Sequence, residues 1–413
     1  MSTKRSNGEG SIYPYKNGHA AYVWVTKPDG KRARKYVYGK TRDEVHDKWI
    51  RLHAEAKNGP VATRHRTVAQ FLAYWLESIV KPNLAPLSYV SYEGCARLYI
   101  NPHLGAKRLD KLTVREVREW LTKLAGTCQC CAQGKDAKRP KEHANPARRQ
   151  RCCAIGECCE SYPSRRVVQA ARDALRAALS HAVMEEEISK NVAKLVTVPK
   201  PRRRKIKPWS VVEAGRFLEH VARTDDSLCA AWVLVLVLGL RRGEVLGLTW
   251  KSIDFEAGEL YVDHQIQRAG REILHRETKT EDSDDFLPLP ELCLSALRLR
   301  REQQRAQRTT AGELWQDSRE LVFTTKFGTP IEPGNMTRMF AGRARRAGVR
   351  AIPLRNTRHT CSSLLVALGV HPKVAMRILR HSQIAMTMEV YAEASEEEVR
   401  DALRQLSEAM GKG

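Results

Sequence analysis

The stretch LCAAWVLVLVLGLRRGE, residues 228–244, joins the longest apolar run of the chain to two consecutive arginines. The run from Leu228 to Leu240 is shorter than the roughly 18 apolar residues that a membrane-spanning helix needs. It therefore predicts an apolar helix inside a folded domain, ending at Leu240. Arg241 and Arg242 then follow directly at the end of a buried element.

The whole chain is strongly basic. Its 413 residues carry 71 Lys and Arg against 47 Asp and Glu, a formal net charge of +24. A length of this order allows two or three domains, and 42% hydrophobic residues are enough to build their cores. The charge balance favours a polyanion as the partner.

Several classes of protein are disfavoured by the same sequence. No apolar stretch predicts a membrane span, and the polar segment from Met1 to Gly10 lacks a signal-peptide core. Eleven cysteines in a large basic chain without such a signal are read as reduced intracellular thiols. We therefore expect a cytoplasmic protein.

The N-terminal residues predict a small sheet. Two β-forming segments, Ala21 to Val25 and Lys35 to Tyr38, flank the turn-forming Lys-Pro-Asp-Gly at 27–30. Lys31, Arg32, Arg34 and Lys35 make the second strand basic. Such a ribbon either enters a DNA major groove or is a solvated edge strand, and we favour the groove.

A helical domain follows. Amphipathic helices are predicted from Thr67, from Thr113 and over Arg165 to Met184, the first two opening with a capping box. Between the last two lies an insertion, residues 126–163, with seven of the cysteines: Cys128, Cys130, Cys131, Cys152, Cys153, Cys158 and Cys159. Read as adjacent pairs, these lack the usual Cys-x2-Cys spacing. A structural Zn²⁺ site and a lysine-rich loop without metal remain alternatives, and no ligands are assigned.

A basic linker and a mixed domain complete the chain. Residues 198–208 are rich in Pro, Arg and Lys and predict an interdomain linker suited to lie along phosphates. From a capped helix at Ser210 the pattern is mostly helical, with strand-like pieces near residues 260–262, 272–275 and 286–289. An amphipathic helix is predicted over residues 395–410.

Five short pieces of the mixed domain occur in a fixed order. They are Gly-Leu-Arg-Arg-Gly-Glu at 239–244, Thr-Lys-Thr at 278–280, Arg-Asn-Thr-Arg-His at 355–359, Leu-Arg-His-Ser at 379–382 and Val-Tyr at 390–391. Together they resemble the tyrosine recombinase (phage integrase) family, in particular integrases of actinobacterial integrative elements and temperate phages. The resemblance implies a multidomain, mainly α protein with an α+β catalytic domain.

The domain boundaries combine the patterns with this resemblance. Residues 1–63 are expected to form a β-sheet arm-type DNA-binding domain. Residues 64–197, with the insertion, are expected to form a helical core-binding domain, and residues 209–413 a catalytic domain.

The resemblance also implies a role for each matching residue. Tyr391 is the nucleophile, and its phenol, with a pKa near 10, can both attack phosphorus and leave again. Arg241 and Arg358 bind the phosphate oxygens, with Arg242 as a rival to Arg241 and Glu244 as a supporting hydrogen-bond partner. Lys279 is the general acid, and His381 donates a hydrogen bond to the phosphate.

One position departs from the family pattern. Arg355 stands where the family usually has a histidine, and the nearest histidine is His359. Arginine does not act as a base at neutral pH, so we read Arg355 as a third cation facing the phosphate.

The reaction implied is integration, and assisted excision, of a mobile element or prophage through a 3′-phosphotyrosyl intermediate without a catalytic cofactor. The implied partners are double-stranded DNA attachment sites, three further copies of the chain on synapsed DNA, accessory excision factors and host DNA-bending proteins. The alternatives are a type IB topoisomerase-like enzyme and a DNA-binding regulator with a decayed active site.

Overall fold

The computed structural model describes residues 12–27, 30–59, 66–199, 207–278, 286–316, 319–380 and 388. The chain divides into two compact units, residues 1–202 and 203–413. Both combine helices with small antiparallel sheets, so the predicted multidomain, mainly α fold is confirmed. The division falls inside the predicted linker, whereas the boundary at residue 63 stays a prediction.

The described part of the first unit begins with a sheet and continues with helices. Its elements are β1 (Tyr13–Tyr15), β2 (Gly18–Thr26), β3 (Arg32–Gly39), α1 (Arg42–Asn58), α2 (Val68–Trp75), α3 (Lys81–Asn83), α4 (Pro86–Cys95), α5 (Asn101–Leu104), α6 (Val114–Ala125), α7 (Gln129–Ala132) and α8 (Arg165–Met184). Single π-helical turns over Leu76–Val80 and Ala96–Ile100 join α2 to α3 and α4 to α5.

The N-terminal sheet has one covered and one open face. Its strands run antiparallel in the order β1-β2-β3. Alternate residues of β2, Val23 and Val25 among them, face α1 and pack with Leu52. Lys35 pairs with Val23 and therefore lies on this covered side, where burial lowers the pKa of its ammonium group. The predicted basic strand is present, but Lys35 does not share the open face with Arg32 and Arg34.

The helical part of the first unit follows its capping signals. Thr67 with Gln70 and Thr113 with Glu116 form reciprocal capping boxes at the starts of α2 and α6. Helix α8 spans the predicted residues and is capped by the Ser164 hydroxyl. The apolar faces of these helices meet in one core around Trp75, Trp120 and Leu175, which confirms the three predicted helices.

The second unit mixes longer helices with two short sheets. Its described elements are α9 (Val211–Arg223), α10 (Cys229–Val237), α11 (Arg242–Gly247), β4 (Ile253–Asp254), β5 (Glu259–Tyr261), β6 (His264–Ala269), β7 (Glu272–Glu277), β8 (Phe286–Pro288), α12 (Glu291–Ala311), α13 (Pro333–Arg346), α14 (Thr357–Ala367) and α15 (Pro372–Leu379). Strands β4, β5 and β8 form one antiparallel sheet, and β6 and β7 form a hairpin.

Apolar helix α10 is the centre of the second unit's core. Trp232 from α10 packs against Phe217 of α9 and Phe340 of α13, and Trp209 completes this aromatic cluster. The predicted capping box of Ser210 and Glu213 starts α9. This packing fixes the end of α10, and hence the start of the arginine-containing segment.

One expectation about the second unit is wrong in detail, and one strand was not predicted. Helix α10 ends at Val237, not Leu240, because Gly239 takes a left-handed conformation with φ of 61°. A Cβ atom there would lie 2.6 Å from the Leu379 side chain. Strand β6, whose sequence HQIQRA is largely polar, was not predicted.

Three further observations concern the chain's wider properties. None of the helices in the described ranges is long and apolar enough to cross a membrane. None of the eleven cysteines, all of which lie in the described ranges, forms a disulfide. The helix predicted over residues 395–410 lies outside the described residues.

Candidate active site

Arg241 is held at the start of α11 by a carboxylate from the same helix. Glu244 accepts hydrogen bonds from the Arg241 backbone N–H at 2.8 Å and from its guanidinium Nη1 at 2.7 Å. The Glu244 side chain is buried, whereas that of Arg241 is 46% exposed. The expected hydrogen bond between the two residues is therefore present, and part of the guanidinium remains open to a ligand.

Arg358 ties together two segments that are far apart in sequence. Its Nη1 donates to the carbonyl oxygen of Gly239 at 2.8 Å, and its Nη2 donates to the carbonyl oxygen of Leu379. Gly239 belongs to the turn before Arg241, and Leu379 ends α15. Arg358 thus sets the position of the first motif relative to the fourth.

Arg380 is a buried arginine of the fourth motif, and the sequence predicted no role for it. Its guanidinium donates to the carboxylate of Glu244, a residue of the first motif that lies 136 positions earlier in the sequence. Arg380 takes a left-handed conformation with φ of 49° at the C-terminus of α15. Its position directly before the predicted catalytic His381 is the sequence signal for it, but its partner is visible only in the fold.

Two guanidinium groups, those of Arg241 and Arg380, bond to the Glu244 carboxylate, and Arg358 interacts electrostatically with all three groups. Burial by itself raises the pKa of Glu244, but Arg380 and Arg241 outweigh it and lower that pKa below its usual range. Burial, followed by the neighbouring Arg241, lowers the pKa of Arg358 to about 9. Glu244 is therefore ionised and Arg358 protonated at neutral pH. The excess of arginines over carboxylates suits an anion such as a phosphodiester.

The hairpin of β6 and β7 packs against α11. Gly247 lies so close to β6 that a Cβ atom on it would be 2.6 Å from Cα of Gln265. The ring Nε2 of His275, on β7, lies 2.9 Å from the Gly247 carbonyl oxygen. Strand β7 then leads to Thr278, whose backbone N–H donates to Asp263. The hairpin of β6 and β7 is therefore packed directly on the helix that Arg241 begins.

The residues near Arg241 and Arg358 in sequence make different contacts from these two arginines. Arg242 points its Nη1 at the Thr337 hydroxyl, 2.7 Å away. Arg355 lies in the 3-10 turn Leu354–Asn356 and is exposed, and His359 is exposed as well. Arg241 and Arg358 are brought together, as the electrostatic influence of one on the other indicates, whereas Arg242 is engaged elsewhere.

Three predicted catalytic residues, Lys279, His381 and Tyr391, lie outside the described residues. The structure describes the chain up to Thr278 and again from Phe286, and it describes Arg380 immediately before His381. Their roles accordingly stay predictions.

The insertion brings its cysteines into one cluster. Two groups of four Sγ atoms each lie within 4.8 Å of one another, namely Cys128, Cys131, Cys153 and Cys158, and Cys130, Cys152, Cys153 and Cys159. Cys128 and Cys131 do have Cys-x2-Cys spacing. This spacing is not apparent when the cysteines are grouped as adjacent pairs. The first of the alternatives left open by the sequence, a thiolate metal site, therefore has a suitable set of donors.

A buried aspartate holds the cysteine loop in place. The Asp136 carboxylate accepts backbone N–H groups from Arg151, Cys152 and Ala154 at 2.9–3.3 Å. Burial alone raises its pKa, but these donors outweigh that and lower the pKa to about 2. Asp136 is thus charged at neutral pH and fixes the segment that carries Cys152 and Cys153.

Comparison with known proteins gives two family matches. Residues 213–398 match the model of the phage integrase family, and residues 67–125 match that of the phage integrase N-terminal SAM-like domain. The cysteine-rich insertion lies between these two ranges. The first match spans every motif from Arg241 to Tyr391.

Full-length relatives and solved structures agree with these matches. A "Tyrosine recombinase XerC-like" protein of Caldanaerobacter subterraneus subsp. tengcongensis is 27% identical over 95% of this chain and 97% of its own length. An "Integrase" of Streptomyces ambofaciens is 27% identical over 95% of this chain and 94% of its own length. The Tn1549 transposon integrase, solved with transposon right end DNA, is 21% identical with a TM-score of 0.62, covering 83% of this chain and 99% of that one. That structural likeness shows a shared fold.

Proposed function

Because the chain belongs to the phage integrase family of tyrosine recombinases, we propose that Tyr391 cuts and rejoins DNA through a 3′-phosphotyrosyl bond. The chain is a site-specific recombinase of the integrase type. The observation that carries the proposed chemistry is the cluster of Arg241, Arg358 and Arg380 around Glu244.

The arginine cluster is suited to the transition state of phosphoryl transfer. Negative charge concentrates on the two non-bridging oxygens as the nucleophile adds, and guanidinium groups stabilise that charge with paired hydrogen bonds. Arg241 is half-exposed and already oriented by Glu244. Arg358 is oriented by the Gly239 and Leu379 carbonyl groups. Both cations are thus positioned before DNA arrives.

The covalent step is assigned to Tyr391. Its phenolic oxygen attacks phosphorus, the bond from phosphorus to the 5′ oxygen breaks, and the DNA 3′ phosphate stays on the tyrosine. The 5′ hydroxyl of the partner duplex then attacks the phosphotyrosyl phosphorus, forms the new phosphodiester and expels the phenol. The phosphotyrosyl bond conserves the energy of the broken phosphodiester, and tyrosine recombinases need no cofactor for this catalysis.

Lys279 and His381 are assigned to proton transfer and phosphate binding. Lys279 protonates the departing 5′ oxygen as general acid. It directly follows Thr278, the last described residue after the hairpin packed on α11, and this position in the sequence supports that role. His381 donates a hydrogen bond to the scissile phosphate, and it directly follows Arg380, which is bonded to Glu244.

Arg355 is proposed as a further cation on the DNA side of the site. It is exposed and lies three residues before Arg358 in a continuous helical stretch. On this proposal the proton of Tyr391 passes to another group or to water, because arginine stays protonated.

The open face of the N-terminal sheet is proposed as a second DNA contact. Arg32, Arg34, Tyr36 and Tyr38 occupy alternate positions of β3 on the side away from α1, and the Arg34 guanidinium lies 4.8 Å from the ring centre of Trp24. Cations beside exposed aromatic rings suit a phosphate backbone and the adjoining groove. Residues 1–63 would thus bind arm-type sites, and residues 64–197 and 209–413 the core site.

Larger assemblies follow from the same proposal. Four copies of the chain would act on two synapsed attachment sites, with the basic linker 198–208 lying along phosphates. Accessory excision factors and host DNA-bending proteins would set the direction. Since the substrate is chromosomal and element DNA, the proposed location is the cytoplasm.

For the cysteine-rich insertion we propose a structural zinc site. Tetrahedral sulfur coordination is typical of zinc, and the two groups of four thiols offer it. The ion would stabilise the loop and take no part in phosphoryl transfer.

A recombination assay tests the proposed function. A supercoiled plasmid carrying DNA from beside the gene is incubated with the protein and genomic fragments, and new junctions are sequenced. We expect junctions at a single sequence, and none with Tyr391→Phe. Relaxation without any junction would instead support the topoisomerase alternative, and binding without either would support the regulator.

A further inference from the structure

The distances between the cysteine sulfurs of the insertion match a metal site rather than disulfides. The Sγ pairs Cys130–Cys152, Cys131–Cys158 and Cys153–Cys159 are each 3.8 Å apart. A disulfide needs about 2 Å. Zn–S bonds of about 2.3 Å at tetrahedral angles place the sulfurs about 3.8 Å apart. These three separations match the edges of a ZnS4 tetrahedron, and the remaining pairs within each group lie within 4.8 Å.

One zinc ion leaves three of the seven thiols unused. If Cys128, Cys131, Cys153 and Cys158 bind it, then Cys130, Cys152 and Cys159 remain within 4.8 Å of Cys153 and of one another. Those three lack only a fourth ligand. Cys153 is the one residue that both groups of four contain.

We infer that the insertion holds two zinc ions on seven thiolates, with Cys153 bridging them. A thiolate sulfur has lone pairs enough to bind two metal ions, so two tetrahedra that share one corner need seven sulfurs and no other ligand. The Sγ of Cys128, in the first group, lies 3.9 Å from that of Cys159, in the second, as expected for adjoining tetrahedra. This inference rests on the proposed zinc binding and not on the recombinase reaction.

Charge and support around the cluster agree with two ions. Two Zn²⁺ and seven thiolates carry a net charge of −3. Residues 126–163 contain seven Lys and Arg against four Asp and Glu, an excess of three positive charges. The backbone N–H groups bound by Asp136 fix the segment with Cys152 and the shared Cys153. The insertion also lies outside both matched family ranges.

Metal analysis of the purified full-length protein tests the inference. Zinc per chain is measured by elemental analysis and by native mass spectrometry after dialysis against metal-free buffer. We expect two zinc ions in the wild type and also in Tyr391→Phe, which would separate this site from the catalytic one. Cys158→Ser should retain one ion, because it removes a ligand of the first group alone. Cys229→Ser, outside the insertion, should retain two.

Each other result counts against a defined part of the inference. One zinc ion in the wild type overturns the bridged pair and leaves simple zinc binding in place. No metal overturns zinc binding as well, and iron in place of zinc overturns the choice of metal. Two ions that are both retained in Cys153→Ser would exclude Cys153 as the bridge. None of these outcomes changes the expectation for strand cleavage.

Discussion

Arg241→Ala is expected to lower the rate of DNA strand cleavage by about 10²–10³-fold, the usual effect of removing one transition-state donor. Arg242→Ala is expected to change it little. The two residues are adjacent and equally charged, but Arg241 is held by Glu244 while Arg242 is bonded to Thr337. The neighbour is therefore a matched control for net charge.

The measurement is single-turnover cleavage of a nicked attachment-site duplex at saturating protein. Binding of the same DNA, followed by gel shift, should weaken only modestly in both variants, because one phosphate contact among many is lost. An equal loss of cleavage in the two variants, or a loss confined to Arg242→Ala, would contradict the assignment of Arg241.

Glu244→Ala is expected to lower the free energy of unfolding by about 3–5 kcal/mol, because it leaves a buried cation without its counter-ion. Arg380 is nearly fully buried against Glu244. Glu219→Ala is the matched control, since Glu219 pairs with Arg223 at the surface and such pairs contribute about 0–1 kcal/mol. Denaturant unfolding measures both.

The pH dependence of the Glu244 effect has a definite sign. The folded-state pKa of Glu244 lies below its usual value, so the carboxylate stabilises the fold above the unfolded pKa of about 4.3. That contribution is lost as the pH falls below this value through the folded pKa. The difference between wild type and Glu244→Ala should therefore shrink in acid. An equal difference at pH 7 and pH 3 would contradict the ion-pair account.

Much of the fold could be predicted where local chemistry decides it. Ser164 and the apolar spacing behind it set helix α8, and the capping boxes at Thr67, Thr113 and Ser210 set three more helix starts. Strand β6 was missed because its HQIQRA sequence has little β-forming character and pairs only through the hairpin. Local propensity does not contain that pairing.

The residues of the site could be predicted from the sequence, but most of the contacts between them could not. The motif order pointed to Arg241 and Arg358, and Glu244 was expected as a partner. Arg380 could not be assigned, because its carboxylate partner is 136 positions away in sequence. The end of α10 was misplaced for a similar reason, since the left-handed turn at Gly239 accommodates the Leu379 side chain.

The cysteine cluster could also be predicted only in part. The sequence placed seven thiols in one insertion, but their grouping depends on Asp136, which folds the 151–154 segment back onto its own loop. Only after that folding do Cys130 and Cys152 lie 3.8 Å apart.

Covalent attachment of DNA to Tyr391 can be detected directly. Purified protein is incubated with nicked duplexes cut from DNA beside its gene, and the products are separated on a denaturing gel. We expect a slow, protease-sensitive DNA band with wild type and with Tyr261→Phe, a control in the same unit, and no such band with Tyr391→Phe. Salt-dependent binding of these duplexes without any adduct, or an adduct that survives in Tyr391→Phe, would contradict this expectation.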